Sequence, residues 1–259
     1  MRLQLATWPE VESRLERSTA ILIPLGSTEQ HGPDGLIGTD ALVAEGISAR
    51  AASHDDGILV APVLAYAPAQ FNLSFPGTVS LRARTFAQLV EDMVDSLAAG
   101  GFDAFYFLNG HGANIAPVRC ACHDLHQRRV LANPANPPLR FRLRSWWEFP
   151  ETDALRRKLY GAGEGMHATP SEISITRALC TAVPSNRETM PWSPLPAERL
   201  RELAGDAHED ARVHRAAFPD GRVGSDSALS SAEHGTALLA SAARELAADF
   251  RRFAAELEQ

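Results

Sequence analysis

The chain has 259 residues, which suits one large α/β domain and is long enough to bury a core without disulfides. Its formal net charge of -7 and the lack of a basic block argue against a nucleic-acid-binding surface. Its three cysteines favour free thiols in a reducing compartment. No stretch reaches the roughly 20 apolar residues of a membrane span, and residues 1–18 lack an apolar signal-peptide core. We therefore expect a cytoplasmic protein that binds neither nucleic acid nor a membrane.

Short apolar runs alternate along the chain with segments of helical periodicity. The apolar runs predict strands at Ala20–Pro24, Ile58–Leu64, Asp103–Leu108 and Leu139–Trp147. The periodic segments predict helices at Asp40–Ala52, Thr85–Ala99, Ile115–Arg129, Pro170–Leu179, Ala197–Ala217 and Ser230–Glu258. No linker divides the chain, so residues 1–259 are predicted to form a single domain. Strands that alternate with helices predict an α/β fold in which a mainly parallel sheet is covered on both faces.

Polar, glycine-bearing loops follow the first and third predicted strands. Glu29 and His31 lie in the first loop, Asp40 follows it, and His111 lies between two glycines in the other. Glu29 and His31 are two residues apart, so in an extended segment their side chains leave on the same side. Ligands of parallel sheets bind beyond the carboxyl ends of the strands. Both loops are therefore expected at one edge of the sheet, close together.

Imidazole and carboxylate groups together suit Zn²⁺, Mn²⁺ or Fe²⁺, and a carboxylate often bridges two such ions. The residues alone leave a second interpretation open. Thr39 or Asp40 could serve as N-cap of the following helix, with His31 solvated. His111 could lie in a structural turn that ends with Asn114 as the next N-cap. The spacing therefore indicates a metal site without deciding it.

A later loop carries His167, and Glu172 follows at the third position of the predicted helix that begins with proline. Thr169 and Glu172 have the spacing of a capping box, so Glu172 could be a helix cap and His167 an ordinary loop residue. Cys120 and Cys122 are two residues apart on a predicted helix and diverge, so they are poorly placed to share a metal.

Four ordered segments together resemble the creatininase (creatinine amidohydrolase) family. These segments are Leu25–Pro33 with Thr39–Asp40, Phe75–Ser80, Asn109–Asn114 and His167–Ser174. The resemblance covers roughly residues 21–176, with a weaker echo at residues 221–235. It implies a three-layer α/β/α sandwich, usually assembled as a hexamer, with one or two divalent metal ions that serve the hydrolysis of a C–N amide bond. A homo-oligomer is therefore expected.

The resemblance also implies roles for individual residues. Four metal ligands are implied: Glu29, His31, Asp40 and His111. Asp40 resembles the bridging carboxylate, and His167 matches a histidine assigned to acid–base work, with Glu172 as its accompanying carboxylate. Creatininases carry a glutamate ligand where this chain has Ala113, so Glu172 is expected to complete the metal shell as well. His167, near its intrinsic titration range, is expected to protonate the departing nitrogen.

Two further departures concern the substrate: Asp34 and Asn72 stand where many relatives have histidine, so creatinine itself is not expected. Substrate contacts are predicted at Ser74, Asn72, Trp146 and Trp147, with Phe71 also near the pocket. The predicted function is metal-dependent hydrolysis of a small-molecule amide, such as a cyclic amide or a formamide. Two alternatives stay open: a precursor-peptide peptidase of the same family, and a non-catalytic metal-binding homologue that serves in an assembly.

Overall fold

A computed structural model describes residues 1–180, 191–203 and 210–256. Its sheet contains three parallel strands in the order β1–β2–β3. Their bounds are Ala20–Leu25 for β1, Ala104–Asn109 for β2 and Arg140–Ser145 for β3. Every residue of β1 and β2 is buried, as expected for strands that are covered on both faces. The predicted last strand ends sooner than expected, because residues 146–148 turn into a 3₁₀ helix.

The segment Ile58–Leu64 runs parallel to β1 but is not the regular strand that its apolar run predicts. It meets β1 only through isolated bridges at Val60 and Leu64. Pro62 has no N–H to donate, and Pro24 in β1 lacks one as well. The hydrogen-bond ladder between Ile58–Leu64 and β1 is therefore interrupted by a proline in each segment. The prediction of a continuous strand at Ile58–Leu64 is wrong.

Helices surround this sheet in the described part of the chain. Their bounds are Trp8–Leu15 (α1), Thr39–His54 (α2), Ala83–Ala99 (α3), Ile115–Ala132 (α4), Pro150–Tyr160 (α5), Pro170–Leu179 (α6), Ala197–Leu203 (α7), Ala211–Ala217 (α8) and Ala232–Ala255 (α9). The helix predicted over residues 197–217 corresponds to α7 and α8, and residues 204–209 between them lie outside the described residues. The predicted end of the last helix at Glu258 also lies outside them.

Side chains of the strands alternate between two cores. Leu22 and Tyr106 pack against α2 and α9 on one face, whereas Ile23 and Phe105 pack against α3 and α4 on the other. This two-residue alternation places a helical layer on each side of the sheet. The predicted α/β class and three-layer α/β/α architecture are confirmed. No helix within the described ranges combines the length and the apolar character needed to cross a membrane.

A buried polar contact joins β2 to α9. The Tyr106 hydroxyl donates a hydrogen bond of 2.7 Å to Asp249 Oδ2. Burial, and then the neighbouring Asp249 carboxylate, raises the pKa of the Tyr106 phenol, which keeps the donor protonated. Arg142 reaches the same carboxylate at 3.3 Å from the edge strand β3. Tyr106, Asp249 and Arg142 therefore form one polar contact between the sheet and α9.

Candidate active site

Glycines at the ends of β1 and β2 allow α2 to approach the edge of the sheet. A Cβ atom on Gly26 would lie 2.3 Å from the Ala41 Cα atom, and one on Gly110 would lie 2.5 Å from the Asp40 carbonyl oxygen. Neither position has room for a methyl group, so both must be glycine. The close approach places Asp40, in the first turn of α2, beside the loops that follow the two strands.

Asp40 does not cap α2. The N-cap is Gly38, so the capping interpretation of Asp40 is wrong. Its carboxylate instead accepts a hydrogen bond of 2.7 Å from Ser27 Oγ on Oδ2. Asp40 Oδ1 lies 2.9 Å from His31 Nε2, and Oδ2 lies 3.0 Å from His111 Nδ1. Asp40 thus joins two histidines, each through a different oxygen.

Each of three histidines has one ring nitrogen against a backbone carbonyl oxygen. The pairs are His31 Nδ1 with Glu29 O at 3.1 Å, His111 Nε2 with Pro68 O at 2.7 Å and His167 Nε2 with Gln30 O at 2.7 Å. A carbonyl oxygen only accepts, so we assign the proton to these nitrogens. In the neutral ring the other nitrogen then carries a lone pair. A backbone carbonyl that fixes the tautomer in this way is typical of histidines that bind a metal.

The remaining ring nitrogens face buried carboxylate oxygens. Besides the two contacts with Asp40, His111 Nδ1 lies 3.2 Å from Glu29 Oε1, and His167 Nδ1 lies 3.7 Å from the same oxygen. A lone pair that faces a carboxylate is repelled unless a proton or a metal cation lies between them. The donor set therefore fits a divalent cation of the kind that imidazole and carboxylate ligands select.

The potential ligand atoms form overlapping groups in which all atoms lie within 4.8 Å of one another. The groups are Glu29–Asp40–His111, His31–Asp40–Glu172 and Glu29–His31–His167. The first two share Asp40, the carboxylate that the family resemblance places between two ions. The structure brings all six predicted polar residues together, and their individual roles as ligands or proton carriers stay predictions.

Glu29 is completely buried and uses its two oxygens differently. Oε2 accepts a hydrogen bond of 2.8 Å from Asn72 Nδ2, whereas the buried Oε1 has no well-aligned donor. Asn72 Oδ1 in turn accepts from Gln30 Nε2 at 2.8 Å. Asn72 therefore supports Glu29 from behind and is fully buried, and its predicted substrate contact stays a prediction. A buried carboxylate oxygen without a donor is a favourable place for a cation.

Neighbouring charges determine the protonation of the buried groups. Burial alone would lower the pKa of His31, but the Asp40 carboxylate outweighs it and raises that pKa to about 10. Likewise, burial opposes the charged form of His111, yet Glu29 and Asp40 raise its pKa well above the usual range. The pKa of Asp40 is held well below its usual range by the two histidines, against the effect of its burial. Before a metal binds, protons therefore occupy the two histidines.

His167 behaves differently from the prediction. Burial and the positive charge of His31 lower its pKa to about 4, so His167 is neutral at pH 7 and not near its intrinsic titration range. The opposite applies to Glu172, where burial raises the pKa of the carboxyl group to about 7, partly offset by His31. Glu172 can therefore gain or lose a proton near neutral pH.

Glu172 forms the predicted helix cap and also lies beside the cluster. Its Oε1 accepts a hydrogen bond of 2.5 Å from the Thr169 N–H, and its own N–H donates to Thr169 Oγ1 at 3.2 Å, so the predicted capping box is confirmed. The same Oε1 lies 4.0 Å from His31 Nε2. Ala168, between His167 and Thr169, has a φ of 56°, a conformation that is uncommon outside glycine. This turn directs both His167 and Glu172 towards the cluster.

A cavity of about 550 Å³ opens from the cluster. Trp146, Trp147 and Phe71 lie on its wall, as the sequence predicts for these aromatic residues. Trp146 is only 1% exposed, so most of its ring belongs to the core. Ser74 does not line the cavity in the described part of the chain, and its predicted substrate contact stays a prediction. Its backbone carbonyl oxygen accepts from Arg215 instead.

Sequence reasoning assigned no role to two residues of the site, Gln30 behind the cluster and Arg119 on the cavity wall. Gln30 Nε2 lies 2.8 Å from Asn72 Oδ1 and 3.0 Å from the Gly221 carbonyl oxygen, and so connects distant segments of the site. Its place between Glu29 and His31 was a signal that could have identified it. Arg119, on the cavity wall, gave no such signal, because one arginine on a predicted helix looks like any solvated residue.

The family model described as creatinine amidohydrolase matches residues 4–250. A mycofactocin precursor peptide peptidase of Mycobacterium ulcerans (strain Agy99) is 35% identical over 128 residues, which are 46% of this chain and 47% of that protein. The creatinine amidohydrolase of Pseudomonas putida is 29% identical over 167 residues, which are 61% of this chain and 62% of that protein. The matches thus span about half to three-fifths of these relatives.

Solved structures agree with the fold over almost the whole chain. A crystal structure of creatinine amidohydrolase (creatininase) has a TM-score of 0.81 at 23% identity and covers 98% of this chain and 97% of its own. A structure named creatininase Mn has a TM-score of 0.81 at 24% identity and covers 98% of both chains. At these identities the likeness shows the fold, and the family model that matches residues 4–250 identifies the family. The chain belongs to the creatininase (creatinine amidohydrolase) family.

Proposed function

We propose that this chain is a metal-dependent amidohydrolase that cleaves a C–N amide bond of a small molecule. The observation that carries the proposal is the arrangement of the three imidazoles, each with one ring nitrogen on a backbone carbonyl oxygen and the other directed at a buried carboxylate. Burying carboxylates beside ring nitrogens with free lone pairs is unfavourable unless a proton or a metal cation lies between them, and the clustering of three such imidazoles supports a metal. Zn²⁺, Mn²⁺ and Fe²⁺ suit such a ligand set.

Five residues would hold the metal: Glu29, His31, Asp40, His111 and Glu172. Asp40 presents Oδ1 to His31 and Oδ2 to His111, which supports two ions with Asp40 between them. Ala113 stands where creatininases carry a glutamate ligand, so that carboxylate is missing from this chain. Glu172 would supply a carboxylate to the metal in its place. The name creatininase Mn, given to a related structure, supports manganese as one of the ions to test.

A divalent ion, when bound, lowers the pKa of a water ligand to about 7 and polarises a carbonyl oxygen. His167 is neutral at pH 7, and its Nδ1 is free to accept a proton because Nε2 is held by the Gln30 carbonyl oxygen. His167 would therefore take a proton from the attacking water and deliver it to the departing amide nitrogen. The oxygen of water joins the carbonyl carbon and the C–N bond breaks, giving a carboxylic acid and an amine.

The experiment measures metal content and amide hydrolysis on the same preparations. Purified protein is stripped with a chelator, reloaded with Zn²⁺, Mn²⁺ or Fe²⁺, and assayed against cyclic amides, formamides and linear amides. His111→Ala should lose both metal and turnover. His167→Ala should keep its metal while kcat falls by about 10²- to 10⁴-fold, the range for a general acid–base group. Full metal content and activity in His111→Ala would refute the metal assignment, and an unchanged kcat in His167→Ala would remove it from proton transfer.

A peptidase is the second candidate, because a relative 35% identical over part of the chain is named as a precursor peptide peptidase. The cavity of about 550 Å³ is also larger than a compact cyclic amide needs. Short peptides in the same assay separate the two candidates: a peptidase cleaves them and leaves the small amides intact. A metal-loaded protein that hydrolyses neither class would instead support a non-catalytic metal-binding homologue.

A further inference from the structure

Two arginines lie on the cavity wall, and among the described residues only Arg156 has an acidic partner. Arg156 is held by Glu164, with Nη2 2.7 Å from Oε1, and its guanidinium carbon lies 5.3 Å from the centre of the Trp146 ring. Arg119 is exposed, and no carboxylate within the described ranges lies at ion-pair distance from it. The positive charge of Arg119 is therefore available to a molecule in the cavity.

The position of Arg119 on α4 directs its side chain towards the cluster. Ile115 and Arg119 are four residues apart, so they share one face of the helix, and both line the cavity. Their Cα atoms are separated by about 6 Å along the helix axis, at 1.5 Å per residue. Side chains on a helix lean towards its N-terminus, and α4 begins shortly after His111 at the carboxyl edge of the sheet. Arg119 therefore reaches back towards the groups that would act on an amide.

The rest of this wall also favours a negative group. Ala113, which carries no charge, lies there, and the first turn of the long helix α4 contributes the positive end of its dipole. One carboxylate outside the ligand cluster, that of Glu148, shares the wall. Its Oε2 accepts a hydrogen bond of 2.9 Å from the Ser145 N–H, so the end of β3 holds it. Glu148 keeps its negative charge, but within the described residues it does not lie at ion-pair distance from Arg119.

Apolar side chains line the same cavity. Ile115, Phe71 and Trp147 contribute aliphatic and aromatic surface, which suits the body of an organic substrate. A charge-assisted hydrogen bond from a guanidinium to a carboxylate is among the stronger polar contacts, and it fixes orientation as well as contributing affinity. The cavity thus offers three features to one molecule: a cluster for the amide, an apolar wall and a cationic anchor.

We propose that the substrate is an amide that carries a free carboxylate, and that Arg119 binds this carboxylate while the amide lies at the ligand cluster. The inference rests on the proposed amidohydrolase function and names its substrate class. Arg119 is then a specificity-determining residue that takes no part in bond breaking. The carboxylate is unchanged in the reaction, in which the C–N bond breaks and the nitrogen gains a proton.

Two matched probes test the proposal by binding, independently of turnover. N-acetyl-L-phenylalanine carries the carboxylate, and N-acetyl-2-phenylethylamine is the same molecule without it. Isothermal titration of both into metal-loaded wild-type protein should show at least about tenfold tighter binding of the carboxylate probe, the effect of one charge-assisted hydrogen bond. Arg119→Gln should lose about tenfold for the carboxylate probe and change by less than twofold for the neutral one.

The control is Arg128→Gln, on the same helix but paired with Asp95 at 2.7 Å. It should bind both probes like wild type. Equal or undetectable binding of the two probes by wild type would overturn the inference, and so would a carboxylate preference that persists in Arg119→Gln, since the metal would then be its source. Hydrolysis of neutral amides alone would sink the inference and leave the proposed function standing. The absence of any hydrolysis would instead count against the proposed function, while the binding comparison still decides the role of Arg119.

Discussion

Asn72 offers a sharp test of how the ligand cluster is supported. Its Nδ2 donates to Glu29 Oε2 at 2.8 Å, and its Oδ1 accepts from Gln30 Nε2 at the same distance. Asn72 and Glu29 are both completely buried, so no solvent replaces a lost contact. Replacing Asn72 with alanine removes the donor that holds Glu29 Oε2. That hydrogen bond fixes the orientation of the Glu29 carboxylate, in which Oε1 faces His111 and His167.

The size of the effect follows from these contacts. A hydrogen bond to a charged group contributes about 1.5–3 kcal/mol, so Asn72→Ala should lower the free energy of unfolding by about 2–3 kcal/mol. Gln30 Nε2 keeps its hydrogen bond of 3.0 Å to the Gly221 carbonyl oxygen, so the loss of Asn72 Oδ1 as an acceptor destabilises Gln30 little. Partners that orient a metal ligand typically account for a 10- to 100-fold effect, so affinity for Zn²⁺ or Mn²⁺ should fall by about that factor. Asn72→Asp should be worse, because it sets a second carboxylate against Glu29.

The assay combines urea unfolding of chelator-treated protein with calorimetric titration of Zn²⁺ and Mn²⁺. The matched control is Thr152→Val in α5, a residue that is also fully buried and whose Oγ1 donates to Glu245 at 2.8 Å. The control should lose about 1.5–3 kcal/mol of stability, as for one hydrogen bond to a carboxylate, and keep its metal affinity. If Asn72→Ala binds both metals within twofold of wild type, the supporting role of Asn72 is refuted.

Three further predictions concern the structure around the site. Gly110→Ala places a methyl group 2.5 Å from the Asp40 carbonyl oxygen and should cost about 1–3 kcal/mol in urea unfolding, whereas Gly112→Ala, with no atom within 4 Å of its Cβ position, should change stability little. The pKa of His31 is raised to about 10, so a metal must displace its proton at neutral pH; affinity should rise about tenfold per pH unit between about pH 7 and pH 9, and titrations in buffers of different ionisation enthalpy should detect proton release. Tyr106→Phe removes the hydrogen bond to a buried carboxylate on α9 and should lower the free energy of unfolding by about 1.5–3 kcal/mol, measured by urea denaturation with metal content unchanged.

The location of the site could be predicted from the sequence because it follows from topology. Glu29 and His31 come after one apolar run and His111 after another, and parallel strands end at the same edge of the sheet. Burial on both faces made these runs recognisable. Asp40 was expected near them because it begins the helix that returns after the first loop. The family resemblance then added His167 and Glu172, whose spacing alone also fits a helix cap.

The details that the sequence did not provide depend on contacts between distant segments. The roles of Asn72 and Arg119 arise from what lies opposite them, which no local pattern reports. Similarly, the lowered pKa of His167 results from burial and from the positive charge of His31. His31 and His167 are far apart in the chain, so no local pattern could indicate this effect. The irregular pairing of Ile58–Leu64 was in principle readable from Pro62, but the continuous apolar run outweighed that signal.

The weak echo of the family at residues 221–235 has a physical basis in the way His167 is held. Gly221 has a φ of 87°, and a Cβ atom there would lie 1.9 Å from Gln30 Oε1, so a side chain at this position would displace Gln30. The Gly221 carbonyl oxygen accepts from Gln30 Nε2 at 3.0 Å, and Ser225 Oγ donates to the His167 carbonyl oxygen. Val223 pairs with His167 through an isolated antiparallel bridge. Backbone groups make most of these contacts, so holding His167 towards the cluster requires a particular backbone conformation of residues 221–225. It requires few particular side chains there.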